Sequence, residues 1–359
     1  SEIFCISGIA GLLFFTPILW VLPSLEDGRK TLWFFDPGKV PAYSPHIWTM
    51  LAVVAFVLTA LTLLWLNARP DFAILRDKSK GKSKLYSFLA AGWVGSTHQW
   101  GALRDRVSVL GIFYFMLLIT VHYFLASDFL MAMIPGWVDS LYPATQAHNA
   151  IQGGVAILTI SIFIMWKWGG YKNFIGLDQL WGLGKLLFGI SLLWFWFFIS
   201  SLMVLWYGKK PNERDVLQIL MFGNYLPIFV STFFFVCIIP FFCLTLDKIR
   251  KSFYGPPIIA LSVLIGNFLD RLRHYGSAYS LDRTMNEATH RFANLPEIAI
   301  PNIVDLMVIF GAVSFPIFLI LLITKYIPAI SIWENREYIL YGSHEKYYKT
   351  EVLVEGKPY

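Results

Sequence analysis

The stretch VSVLGIFYFMLLITVHYFLASDFLMAMIPGW, residues 107–137, holds no Lys, Arg, Asp or Glu from Val107 to Ser127 and then meets Asp128 and a Pro-Gly-Trp break. A bilayer core about 30 Å thick is crossed by roughly 20 apolar residues in a helix, and this run has that length. It also contains His122, so the segment that fixes the fold class raises the question of what His122 and Asp128 do there. Six residues apart, they stand about 240° apart around a helix and do not share a face.

The rest of the chain repeats the pattern. Over 359 residues, 57% are hydrophobic, 17% aromatic and 14% charged, with a mean hydropathy of +0.59. These values lie outside the range of soluble domains. Eight apolar runs are expected to span, at residues 4–22, 47–67, 107–127, 149–167, 186–207, 225–246, 258–270 and 303–326. The seventh is short and opens on Pro256-Pro257. Lipid offers the backbone no hydrogen-bond partner, and the runs do not alternate in polarity, so helices are expected rather than a β-barrel. The reading is therefore an all-α polytopic transmembrane bundle, one integral-membrane domain over 1–359 with a short cytoplasmic tail from about 327.

Lys and Arg set the orientation. Arg69, Arg76, Lys78, Lys80, Lys82, Lys84, Arg104 and Arg106 follow the second run, and Lys248, Arg250 and Lys251 follow the sixth, whereas PGWVDSLYPATQ after the third has none. Both termini are expected in the cytoplasm, although Arg271, Arg273, Arg283 and Arg291 fall on the outer side. The formal charge of +6 then reflects topology, and no nucleic-acid partner is expected. The chain lacks a signal peptide's basic start and cleavage site. It opens on Ser1 directly before a span, so upstream residues, whole helices of a ten-helix parent among them, are expected to precede it.

Cys5, Cys237 and Cys243 form no C-x-x-C pattern, so no metal site or iron–sulfur cluster is expected. Of the seven histidines only His122 lies well inside a run, which leaves no facing pair for haem. There is no Walker-type loop, so ATP-driven transport is not expected. Redox chemistry would need electron carriers on another subunit.

Ionisable groups in membrane spans are candidate functional residues. For His122 a satisfied core histidine and a functional one are both open. Lys185 opens the fifth run, where snorkelling to the surface and a functional role are the alternatives. Asp270 and Arg273, followed by His274, are spaced for an ion pair on one helix face, structural or catalytic. Glu26, Asp27 and Arg29 follow the first run in PSLEDGRK, either as a solvated turn or as part of a site.

Read in order, ARPDFAILRD (68–77), AAGWVGSTHQW (90–100), the opening stretch and LGKLLFGISLLWFWFFISSLMVLWYGKKPNE (183–213) resemble the NrfD/PsrC-like membrane subunits of respiratory quinone oxidoreductases. They are most similar to the quinol-site subunits of alternative complex III. Weaker echoes are IGNFLDRLRHYGSAYSLDR (265–283) and KYIPAISIWENRE (325–337). The resemblance implies a quinone or menaquinone held in the bundle without haem or iron–sulfur cluster in this chain, in a bacterial inner membrane. It implies as partners an iron–sulfur/molybdopterin-like periplasmic subunit, a multihaem cytochrome c subunit and a second NrfD-like membrane subunit. By the same resemblance Glu26, His122 and Asp128 are the catalytic candidates. Arg29, Trp48, Thr49 and Trp137 are the quinone-binding ones, and Lys185, Asp270, Arg273 and His274 a proton path. Two departures stand out: Glu26 occupies the place of a family histidine, and Thr49, in SPHIWT, that of an aspartate.

Overall fold

A computed structural model describes residues 2–17, 46–78, 83–134, 137–208, 210–281, 285–286, 291–292, 294–348 and 350–355. Glu26 and Arg29 lie outside the described residues. In chain order the helices are α1 (Ser7–Phe15), α2 (His46–Lys78), α3 (Ser83–Ala90), α4 (Thr97–Phe129), α5 (Leu141–Lys167), α6 (Leu177–Gly208), α7 (Pro211–Leu217), α8 (Leu226–Phe233), α9 (Ile239–Thr245), α10 (Asp247–Arg250), α11 (Gly255–Tyr279), α12 (Ile303–Ile323) and α13 (Ile332–Tyr341). Two π-helical segments, Gln218–Phe222 and Phe234–Ile238, join α7 towards α8 and α8 to α9. Two short antiparallel hairpins, β1 (Met285–Asn286) with β2 (Arg291–Phe292) and β3 (Gly342–Tyr347) with β4 (Thr350–Glu355), complete the described elements. The protein is an all-α polytopic bundle.

Six of the described helical segments are long and apolar enough to cross a membrane: 47–78, 97–133, 141–167, 177–208, 226–245 and 303–323. The first expected span is helical through Phe15, and its residues 18–22 lie outside the described residues. The seventh is helical, at Gly255–Tyr279, but longer than expected and not one of these six. Asp270-Arg271-Leu272-Arg273-His274 reads as an end, yet α11 continues to Tyr279 because Asp270, Arg273 and His274 turn inward and are buried. Likewise α2 does not stop at Asn67: it runs through Pro70 to Lys78, with Asp71, Phe72 and Ala73 buried. Pro256 and Pro257 open α11, where the missing N–H is no loss.

The chain divides into two compact units. The first gathers the described parts of 1–18, 53–117 and 303–359, in which α1 packs on α12 and Phe14 meets Phe315 edge-on at 6.1 Å. The second gathers those of 19–52 and 118–302, in which α5, α6 and α11 pack on one another and α8 and α9 close the group. Its apolar layer of Ala156, Leu187, Leu244, Ile259, Ala260 and Val263 is fully buried.

Candidate functional site

The second unit buries polar groups at one level of its bundle. Asp139, two residues before α5, accepts from the backbone N–H of Leu141 (2.9 Å) and Tyr142 (3.3 Å), and from the Ser201 hydroxyl at 2.5 Å. A side-chain oxygen satisfying first-turn amides favours starting the helix there. Tyr142 is thereby set on the inward face, where its ring lies 4.6 Å from Trp137 and 4.9 Å from His274. Trp137 stacks on His274 at 6.2 Å and 11°. Gln146, one turn further along α5, donates to the Tyr142 hydroxyl at 2.8 Å.

Behind this aromatic group lies a charged one. Arg273 donates from Nη2 to Asp270 at 2.7 Å and from Nη1 to the Leu220 carbonyl at 2.6 Å. The π turn at Gln218–Phe222 presents that carbonyl, and the one at Phe234–Ile238 likewise presents the Phe235 carbonyl to Ser262 at 2.9 Å. Asn149 donates to the other Asp270 oxygen at 3.2 Å. His274 Nδ1 lies 2.7 Å from the Asp270 carbonyl and its Nε2 3.3 Å from the Arg273 guanidinium. Since a carbonyl only accepts and a guanidinium only donates, these contacts assign the proton of a neutral imidazole to Nδ1. The charges compensate, as burial away from water requires.

The expected site residues do not all meet. Trp137, Asp270, Arg273 and His274 form this single cluster. Asp128 is buried on the last turn of α4, while His122, half-buried, is bonded through Nδ1 to the Leu118 carbonyl of its own helix at 2.8 Å. Lys185 is exposed, its ammonium 3.8 Å above the Trp181 ring at the α6 end that also carries Lys251 over the same ring. That is the snorkelling arrangement, and it leaves Lys185 apart from the cluster. Thr49 is buried and its neighbour Trp48 exposed on the first turn of α2. Tyr142, Gln146 and Asn149 are cluster members that the sequence reading did not single out. Their signal is the three- and four-residue spacing along one face of α5.

Four polar atoms of the cluster stay without a hydrogen-bond partner among the described residues, the Trp137 indole N–H, Arg273 Nε, Gln146 Oε1 and Asn149 Oδ1. An apolar cavity of about 350 Å³ also exists, lined by Leu61, Trp65, Phe72, Leu89, Tyr326 and Ile327 of the first unit. It carries no convergent polar groups.

Fold and cluster together define a multi-pass α-helical membrane protein with a compensated buried ion pair beneath an aromatic box. No family model matches the chain. It is 26% identical over 276 residues to one of the subunits of selenate reductase from Mesobacillus selenatarsenatis, a match covering 72% of this chain and 59% of that protein. The chain thus spans about three-fifths of the relative it matches.

Proposed function

We propose that this chain is the quinone-binding membrane subunit of a respiratory oxidoreductase complex in a bacterial inner membrane. It takes electrons from menaquinol or returns them to the quinone, and exchanges them with a partner carrying iron–sulfur clusters or haems c. The observation that supports this best is the Trp137 indole N–H, buried and without a partner among the described residues, beside the rings of Tyr142 and His274. A buried donor left unpaired costs about 1–3 kcal/mol, and a ring carbonyl arriving from the membrane would satisfy it. Likeness to a component of selenate reductase supports partner subunits that hold the redox centres.

A quinone, when bound, supplies two-electron, two-proton chemistry. This chain would hold and orient it: Trp137 donates to a carbonyl, and Arg29, Trp48 and Thr49 complete the contacts that the family resemblance implies. Glu26 accepts a proton, with His122 and Asp128 in its relay. The cytoplasmic placement of both termini and the membership of alternative complex III, with a second NrfD-like subunit, belong to the same reading. A second reading is a non-catalytic scaffold with a proton path through His122, Asp128, Lys185 and the Asp270–Arg273–His274 group. It is favoured by the mutual satisfaction of that charged group.

The test is purification of the chain with its co-assembling subunits, followed by oxidation of a soluble menaquinol analogue. Glu26→Gln is expected to slow turnover by roughly 100-fold or more, the usual contribution of a general base. Trp137→Phe is expected to raise the quinol KM about tenfold for one lost hydrogen bond. Turnover within about twofold for Glu26→Gln, with KM unchanged in Trp137→Phe, would leave the scaffold reading.

A further inference from the structure

Below the charged group, α5 and α11 face each other along a seam in antiparallel register. Asn149 meets Asp270 at 3.2 Å. One turn on, a Cβ built on Gly153 would lie 3.7 Å from Asn267 Nδ2, in ordinary contact with that amide. Next come Ala156 and Val263, in the apolar layer with Leu187 and Ala260. Along α5 the polar positions 146, 149 and 152 recur every three residues, and along α11 Asn267 and Asp270 are three apart, so each set faces one way.

Five side-chain atoms of this seam are buried and have no hydrogen-bond partner among the described residues: Gln146 Oε1, Asn149 Oδ1, Gln152 Oε1, and both Oδ1 and Nδ2 of Asn267. The Asn149 orientation is chemically determined, because its other terminal atom meets a carboxylate that can only accept. Gln152 reaches the Ser191 hydroxyl of α6 at 3.0 Å, and since a hydroxyl both donates and accepts, the Gln152 amide fits in either orientation, as does that of Gln146 against Tyr142. One fixed acceptor on Asn149, both ends of Asn267 and the free ends of two glutamines call for an occupant that both donates and accepts. Net charge excludes a bound cation as the main occupant: Asp270 is already compensated by Arg273, whose guanidinium lies one side chain from Asn149. An apolar occupant would leave every one of these atoms unsatisfied. Water is neutral, small, and offers two donors and two acceptors.

We propose that the α5–α11 seam binds internal water molecules, held by Gln146, Asn149, Gln152 and Asn267 and stopped by the layer of Ala156, Leu187, Ala260 and Val263. This site is independent of quinone binding. Its waters hold the Asn149 amide against Asp270, and so position the carboxylate for Arg273.

Two measurements on the protein purified with its co-assembling subunits test it. X-ray radiolytic labelling in oxygen-18 water marks side chains beside ordered internal water. Incorporation on α5 between Gln146 and Gly153 is expected several-fold above that at Leu187 and Leu244. Equal, background incorporation at both levels overturns the proposal. The second reads a sign. In a hydrated seam Asn267→Leu displaces water and strands the neighbouring carbonyls, so Tm falls by about 2–4 °C. In a dry seam the same change removes an unpaired amide and Tm rises. If Asn267→Leu does not fold, the labelling of the unaltered chain decides alone.

Discussion

The two units of this chain use buried polarity in opposite ways. In the first, polar side chains serve backbone ends. Asp71 of α2 accepts from the Ile332 and Trp333 amides at 3.1 and 3.0 Å and thereby caps the start of α13, while the Trp333 indole donates to the Asn67 carbonyl at 3.1 Å. Arg69 lies over the rings of Trp65 and Trp93, at 5.2 and 5.3 Å, and its guanidinium reaches the Ala90 and Ala91 carbonyls at the end of α3. Gln99 bonds the Val94 and Gly95 amides and the Gly92 carbonyl, closing a turn in which Gly92 and Gly95 adopt φ of 73° and 78°. In the second unit, polar side chains serve one another in the middle of a helix group. Sequence blocks of similar appearance therefore divide into fasteners, at 68–77, 90–100 and 325–337, and a chemical cluster, at 137–149 and 267–274.

The sharpest test of this contrast removes one arginine from each unit. Arg273→Met strands Asp270 in the bundle and is expected to destabilise by roughly 3–5 kcal/mol, read as Tm in detergent. Adding Asp270→Ala is expected to recover much of that loss, and a double variant as damaged as the single one would deny that the pair is compensated. Asp71→Ala should cost about 1–2 kcal/mol, the usual worth of a helix cap, and the loss should be local. Hydrogen exchange at 332–336 should accelerate while α5 and α11 keep their protection. Arg69→Met, which loses only stacking and partly exposed carbonyl contacts, should cost about 1 kcal/mol. An effect as large as that of Arg273→Met would erase the distinction between fastener and core.

The smallest effect is expected at the exposed turn after α9. There the hydrogen bond from Lys251, at 3.0 Å, and then the attraction of Lys251 and Arg250 hold the Asp247 carboxyl below its ordinary value. A depressed folded-state pKa adds stability above the unfolded value of about 4, and that stability is lost as pH falls through the folded value. Asp247→Asn should therefore leave Tm at pH 7 almost unchanged and remove only a slight loss below pH 4.

Fold class was legible because hydrocarbon leaves the backbone few options: runs of some twenty apolar residues admit little but a helix. Helix ends were less legible. Pro70 and the Asp270–His274 group both look like terminators, and only the neighbouring elements show that Asp71 faces α13 and that Asp270 and Arg273 face inward. The cluster was legible where it was charged or where the resemblance pointed, as at Trp137. It was missed where it was neutral, since Asn149, Gln152 and Asn267 differ little in hydropathy from residues at a helix surface. Which face of α5 is inside is decided by packing, not by composition.

A π turn holds one residue more than the α turn it interrupts, and it frees carbonyls from the helix ladder. The turn at Phe234–Ile238 uses that surplus to lend the Phe235 carbonyl to Ser262. Gly266 lets α11 come close enough that an added Cβ would lie 3.0 Å from the Val236 nitrogen. The extra residue therefore works as a shim, taken up by the wide turn so that the helix keeps its phase on either side. Deleting Phe234 would restore a regular α turn and leave the helix beyond it facing nearly as it does now. Leu244 would stay in the apolar layer, whereas the Phe235 carbonyl would return to the helix ladder and Ser262 would lose its partner, so the insertion serves a hydrogen bond and not the direction of the helix.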